Sequence, residues 1–448
     1  MAISVKGYRH AGDIDIKSLA IITQNGEVID ITTMTPEVNI YQDINEHYLQ
    51  CDVIIHDAQA LINSIEGDPG GFNGGEVLAI RYKSKSDDLK YKTHLFGIYT
   101  VSDRNRLDDS NETYNLECIS AEAYRSSNKT ISRAFGYPNG NLISKMVESI
   151  INEQIYDSQI QDLYRNYRGV TGSRVKKSVV ISPTNGLQSF IIPNMTPDDA
   201  IDFLAFQADC DNHIPYYIFY EDSDGFNFRD INSLVQKTPR ETYTFISTNV
   251  EDTEPDEEVA IRDFQKIISY EVMNQSNILK NAQTGLYRSK TINIDILTKK
   301  KSEYNYDYSK EFSRFNTLQK YQIPGSIEGT PIQWMYQSRT GHDQNKLFTT
   351  ELPLPKRINN TVARKTSFMR HITNVSVNVT VPGNSEMLAG DVVYLNIPNP
   401  TNIKDSFGKK DKYLSGKYLV TRVRHKFDGK GANFTTFMEC VKDTGIKY

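Results

Sequence analysis

The run Gly67-Asp68-Pro69-Gly70-Gly71-Phe72-Asn73-Gly74-Gly75 is glycine-rich enough to wrap a phosphate. A phosphate cradle needs a strand before it, a helix after it, and Gly-Lys-Ser/Thr, so that backbone amides and an ammonium converge on the anion. Here a strand-like segment follows and no lysine is present, so the run reads as a flexible loop. Gly416-Lys417-Tyr418 has the lysine without the hydroxyl residue and fails the same test. The eight histidines are scattered, with no His-Glu-x-x-His and no pair at metal spacing. His425, beside Arg424, reads as a strand residue with a satisfied ring. No Gly-x-Ser-x-Gly elbow is present to expose a serine nucleophile.

Paired carboxylates could hydrolyse a glycoside. Each acidic group has a plainer role, however. Asp198 and Asp199 follow Thr196-Pro197 and favour the positive end of a helix. Asp222 and Asp224 belong to the turn Glu221-Asp222-Ser223-Asp224-Gly225. Glu251 to Glu258 holds six acidic residues in eight, a solvated linker. Tyr216, Tyr217 and Tyr220 could stack on sugars or bases, but a hairpin face packed on the helix of Ile201 accounts for them better. The expectation is no catalytic residue, no cofactor, no metal, and no enzyme.

The chain of 448 residues is long enough for two to four domains. Hydrophobic residues make up 38% and charged residues 24%, which suits folded material. Its net charge of -5 is spread along the chain without a basic stripe, which argues against duplex nucleic acid as a primary ligand. The cysteines Cys51, Cys118, Cys210 and Cys440 are far apart and read as buried small hydrophobes made in a reducing compartment. The N-terminus lacks a secretory pattern and no apolar run is long enough to span a membrane.

What must position these residues is strand-rich. Val375-Ser376-Val377-Asn378-Val379-Thr380-Val381 alternates strictly, the signature of a strand with one face in a core. Gly390–Asn396, Gly416–His425 and Asn433–Val441 add three strands, the last two joined by the turn Asp428-Gly429-Lys430-Gly431. The same grammar occurs earlier. Cys51–His56 answers the Val375 run, Gly75–Ile80 answers Gly390–Asn396, and Tyr114–Ile119 with Glu117-Cys118 answers the strand ending Glu439-Cys440-Val441. Gly97-Ile98-Tyr99-Thr100-Val101 is set on Gly416-Lys417-Tyr418-Leu419-Val420, with Gly, Tyr and Val in register. One β-module is therefore present twice.

Before the first copy, Ile14 to Ile31 reads as a hairpin about Asn25-Gly26, Val38–Ile44 as a strand, and Asp57–Ile65 as a short helix or turn. Between the copies, Asn141–Ile160 has helical apolar spacing behind a cap at Asn139-Gly140-Asn141. Tyr164–Lys177 reads as a loop and Lys177–Ile181 as a strand. The second copy is shorter at its front, and a barrel without leading strands would expose its edges. Residues 258–290 are expected to supply them, Asp263–Met273 being strand or helix. Lys299-Lys300-Lys301 and Tyr304–Tyr308 mark the segment between as a poorly packed arm. The fold class is thus mixed, β-rich α+β. The first antiparallel β-barrel module covers 1–124, a central α+β unit 125–257, leading strands of the second barrel 258–290, an inserted arm 291–370, and the rest of the second module 371–448.

Asn194–Leu204, followed by Phe219–Arg229, resembles the central region of baseplate hub proteins of contractile-tailed phages. Gly416–His425 with Phe437 resembles that family's C-terminal barrel. The resemblance implies a structural virion protein made in the host cytoplasm: a homotrimer whose two barrels per chain form a pseudo-sixfold ring in the tail baseplate. Its implied partners are a hexameric tail tube or tube-initiator protein, a trimeric central spike and other baseplate proteins. Genomic DNA passes through the channel without specific binding, and no membrane is involved. A tail-associated glycan or peptidoglycan hydrolase and a hub-like component of a contractile secretion apparatus are the rival readings.

Overall fold

The computed structural model describes residues 11–58, 61, 75–84, 89–136, 140–167, 170, 177–210, 214–245, 263–295, 299, 301–323, 330–337, 354–399 and 410–445. The first module comprises β1 (Ile14–Ile22), β2 (Val28–Asp30), β3 (Glu37–Asp43), β4 (Gln50–Asp57), β5 (Val77–Ser84), β6 (Lys92–Arg106) and β7 (Glu112–Ser120). They lie side by side in the order β3-β4-β7-β6-β5-β1-β2, all antiparallel. Alternation decides which face is inside: Cys51, Val53 and Ile55 of β4 meet Val38, Ile40, Ile80, Phe96 and Leu116 in one core. The hairpin about Asn25-Gly26 forms as expected. The Gly67–Gly74 run and most of Asp57–Ile65 lie outside the described residues.

The central unit holds β8 (Ile131–Phe135), β9 (Ser178–Ile181), β10 (Phe190–Met195), β11 (Tyr217–Asp222), β12 (Gly225–Asp230) and β13 (Glu241–Thr244). Its first helix, Ile143–Ile150, buries Ile143, Met146, Val147 and Ile150, then passes into a π turn at Ile151–Ile155. Of the cap expected at 139–141, Asn139 lies outside the described residues and Asn141 does not hold the cap position. Leu142 takes that position, and the free Ser144 amide donates to Thr184 Oγ1 from across the fold (2.9 Å). The loop expected over Tyr164–Lys177 is corrected at its start, while most of 168–176 lies outside the described residues. A helix spans Ser158–Asn166, started by the Asp157 carboxylate accepting from the Ile160 amide, and Tyr164 is buried on it. Thr196 caps helix Pro197–Gln207 as its sequence requires, accepting from the Asp199 amide.

The tyrosine hairpin β11–β12 has two buried faces. Tyr217 and Phe219 pack in the cluster containing Ile201 and Leu204, as expected, but Tyr220 points the other way into the second module's core and Tyr216 packs against that core. Period 2 makes this unavoidable once both faces are covered.

The second module is β14 (Ser269–Asn274), then an insertion containing β15 (Arg288–Asp295), β16 (Lys301–Asp307) and β17 (Ile332–Gln337), then β18 (Val375–Pro382), β19 (Val392–Asn396), β20 (Gly416–Phe427) and β21 (Thr435–Lys442). The order is β14-β18-β21-β20, with β19 pairing the start of β20 and β13 lying parallel beside β19. The insertion is no loose arm. Its three strands form a sheet covered by helix Leu354–Ile372, and Tyr306, Tyr308, Phe315, Leu318, Ile323 and Phe368 are buried in the same cluster as the second module. β15 crosses the 290/291 boundary and the long helix crosses 370/371. Glu251–Glu258 lies outside the described residues.

The repeat is real, but one of its alignments is corrected. β7 lies on β4 as β21 lies on β18, with Cys118 opposite Cys51 and Cys440 opposite Val377. On the other side Ile98 faces Cys118 as Val420 faces Cys440. Gly97 therefore corresponds to Leu419 rather than Gly416, and the Gly-Tyr-Val match is out by three residues. An odd slip exchanges the faces of a strand. Tyr99 is accordingly exposed while Tyr418 is fully buried. Both copies carry a bulge at the same rung, between Ile98 and Thr100 and between Val420 and Arg422.

Candidate assembly surface

Two modules become one object because β20 pairs with β3. Arg422 lies opposite Asp43, Arg424 opposite Tyr41 and Lys426 opposite Asn39, antiparallel, which joins both copies into a thirteen-stranded sheet. Side chains on the non-core face reinforce that seam. Lys426 Nζ meets Glu37 at 2.7 Å, Arg424 meets Glu37 at 3.3 Å, and Arg422 bridges Asp43 and Glu439. Arg424 also lies over the rings of Tyr41 and Phe437. A groove of about 530 Å³ follows the seam, lined by Tyr41, Asp52, Arg424, Phe437 and Glu439 among others. Its charged lining is Asp43, Glu46, Asp52 and Glu439 against Arg422 and Arg424, an acidic excess that does not hold an anion.

The central unit wedges behind the seam. The first module's Lys92 reaches Asp224 of the β11–β12 turn at 2.7 Å and Glu386 of the second module at 3.3 Å. Ser84 and Ser385 exchange amide-to-hydroxyl bonds of 2.9 Å each. Arg240 and Lys237 both hold Asp391. Lys177 is buried, and its ammonium lies between Glu122 (2.7 Å) and Glu221, both carboxylates fully enclosed. Burial opposes its charge, but the two carboxylates more than offset that and hold the amine well above its ordinary range. Glu221 Oε2 also accepts the Leu49 amide of the first module.

The chemistry-capable residues of the sequence are occupied in this framework. His425 is enclosed, its Nε2 beside the Met387 carbonyl (3.2 Å) and its Nδ1 beside Thr436 Oγ1 (3.3 Å), a satisfied strand residue as expected. Asp222 accepts the amides of Asp224 and Gly225 and holds Asn227, which fixes the turn. Asp198 does more than start its helix. With Asp202 it grips His47 (3.6 and 3.0 Å), and these hydrogen bonds push the imidazole up to about 10, so it is a cation at neutral pH. Cys51, Cys118 and Cys440 are buried, whereas Cys210 is partly exposed, against expectation. Among the described residues no three His, Cys, Asp or Glu side chains converge on a metal position. No described helix is long and apolar enough to cross a membrane.

Several buried side chains hold polar atoms without a hydrogen-bond partner among the described residues, and in His94 both ring nitrogens are so placed. The His94 ring sits between Tyr82 and Phe96. Burial, with Lys177, Lys92 and His425 nearby, holds its pKa well below 6.5; burial lowers His425 to about 4. Both groups are protonated more readily unfolded than folded. Their stabilising contribution is present above pH 6.5 and is lost as pH falls below it, for His425 through about 4. The apolar, similarly sized His94→Leu is expected to raise stability by about 1–2 kcal/mol and to shallow this acid limb. Thermal melts at pH 7.5 and 4.5 check both, and a lower melting temperature at pH 7.5 would contradict them.

No family model matches the chain, and no curated protein matches its sequence. Solved structures do. The 43 kDa tail protein of prophage MuSo2 from Shewanella oneidensis aligns over 95% of this chain and 98% of its own, with a TM-score of 0.53 and 10% identity. A tail protein from Neisseria meningitidis MC58 aligns over 95% and 96%, with a TM-score of 0.50 and 10% identity. The fold is that of a phage tail protein. The tail-protein fold thus spans both modules, the central unit and the insertion, and the resemblance read from Asn194–Arg229 and Gly416–His425 is borne out at the level of fold. What the residue patterns missed was the seam and its lashings. β3 and β20 are some 380 positions apart, as the Arg422–Asp43 separation of 379 illustrates. Lys177, with Arg174-Val175-Lys176 before it and Ser178-Val179-Val180 after it, gives no local sign of two distant carboxylates.

Proposed function

We propose that this chain is a structural component of a phage tail baseplate, the hub: a homotrimer whose six modules form a ring. The ring joins a hexameric tail tube on one side to a trimeric spike on the other, and surrounds a channel through which DNA passes. The observation that carries this reading is the intramolecular seam. One module already accepts the next by strand pairing, with the same strand order and the same bulge in both copies. A chain that continues this way places two equivalent surfaces per copy, and three copies give six. Paired charges along the non-core face suit a wall past which a polyanion slides without being held. The fold shared with phage tail proteins agrees.

Light scattering on the purified chain is the direct test. A mass near three times 51.1 kDa is expected. A monomer at every concentration, alone and with a tail-tube protein added, would overturn the reading.

A further inference from the structure

The repeat assigns a second, unused seam. In the internal seam, the Arg422–Phe427 half of β20 meets β3. The first module's equivalent of that half is Thr100–Arg106 of β6, which pairs β7 on one side and, among the described residues, no strand on the other. The second module's equivalent of β3 is β14, which among the described residues pairs only β18. Two open edges therefore remain on one chain, and they are counterparts of the two edges that the chain has already joined.

We propose that β14 of one copy pairs antiparallel with the Thr100–Arg106 half of β6 of a second copy, with Ser102 opposite Asn274 and Asn105 opposite Glu271. The register follows from equivalences on each strand. Ser102 faces Asn115 as Arg424 faces Phe437, and Asn105 faces Thr113 as Lys426 faces Thr435. Asn274 faces Ser376 as Tyr41 faces Gln50, and Glu271 faces Asn378 as Asn39 faces Asp52. Internally Arg424 meets Tyr41 and Lys426 meets Asn39.

An independent feature supports the match. Between these rungs each open edge carries one residue more than its internal counterpart. On β6 it lies at the bulge between Ser102 and Asn105, where Asp103 takes φ 52°; on β14 it is Met273, bulged between Val272 and Asn274. Either insertion alone would put the two edges out of step. Together they restore it, since two residues now lie between the rungs on both strands. A lone edge strand is ordinarily blunted by charge or covered. These edges and their flanks display Tyr99, Leu107, Ile268 and Met273, each more than half exposed, beside the exposed Asp103, Arg104, Arg106 and Glu271. The positions answering Arg422, Arg424 and Lys426 are Thr100, Ser102 and Asn105, so at those rungs this seam has no counterpart of the three internal cations.

This inference rests on the ring reading above, and one experiment separates them. Opposed residues in an antiparallel pair have Cα atoms about 4.5–5.5 Å apart, within reach of a disulfide. The full chain carrying Asn105→Cys and Glu271→Cys, with Cys210→Ser to silence the partly exposed thiol, is oxidised and run without reductant. Both substituted residues are exposed. A covalent ladder ending at three chains, with none from either single variant, is the expected result. A ladder running past three keeps the seam and overturns the closed trimer. A trimer by light scattering with no cross-link keeps the ring and overturns the seam. A monomer with no cross-link overturns both. Met273→Lys, at an exposed position, is expected to weaken association at least tenfold with an unchanged melt of the isolated chain; unchanged association would contradict the seam.

Discussion

Lys177→Met is expected to cost about 3–5 kcal/mol, because it leaves two enclosed carboxylates facing each other without a cation. Glu122 and Glu221 are both fully buried, and Lys177 is the ammonium between them. Glu122 comes from the helix after β7, Glu221 from β11 and Lys177 from the residue before β9. Loss of the lysine therefore loosens the first module from the central unit rather than one strand from its neighbour. Unfolding in urea measures the cost. Lys129→Met, at a part-exposed pair with Asp157, is the comparison, and an exposed pair is worth about 1 kcal/mol or less. Replacing the lysine and both glutamates together with apolar residues is expected to return much of the loss, since a buried charge cluster often contributes little net stability against a packed apolar substitute. Equal effects of Lys177→Met and Lys129→Met would contradict the account.

Asp443→Ala is the second large effect, at about 2–4 kcal/mol. Its carboxylate is fully buried, and one oxygen accepts the amides of Leu318 (2.8 Å) and Gln319 (3.1 Å) while the other accepts the Thr444 amide (2.7 Å). The substitution strands those donors, each worth about 1–3 kcal/mol when left unpaired and buried. Asp443 follows β21 and the two amides belong to the insertion, so this one side chain pins the insertion to the second module. Hydrogen exchange is the discriminating readout. Amides over 301–323 are expected to lose protection while β4 and β7 of the first module keep theirs. Asp443→Asn, which retains one acceptor oxygen, is expected to fall between wild type and alanine. Uniform loss across the molecule would contradict the local role.

What was legible in the residue pattern was whatever local periodicity decides. Val375–Val381 had to be a strand with Val375, Val377, Val379 and Val381 inside, and it is. Thr196-Pro197-Asp198-Asp199 had to start a helix, because cap, proline and carboxylates agree. The duplication is visible through Glu117-Cys118 and Glu439-Cys440, while matching Tyr99 to Tyr418 by residue type sets an outward side chain on an inward one, a three-residue slip that residue type alone does not reveal. The insertion is hard to judge from its sequence because much of its core is aromatic, Tyr306, Tyr308, Phe315 and Phe368 joining Leu318 and Ile323, and tyrosine reads as polar until its hydroxyl finds Ser367 or His371. The assembly surface was not legible at all. An edge strand is defined by the neighbour it lacks, and no residue of β6 or β14 announces that absence.

The central claim is that one module, written twice and joined edge to edge within the chain, continues the same way from copy to copy. End-on electron-microscope images of the purified chain test it most directly. Rings of six similar lobes around an open centre, with threefold averages as sharp as the data permit, are the predicted result. Compact single copies, or particles of twofold symmetry, would contradict it.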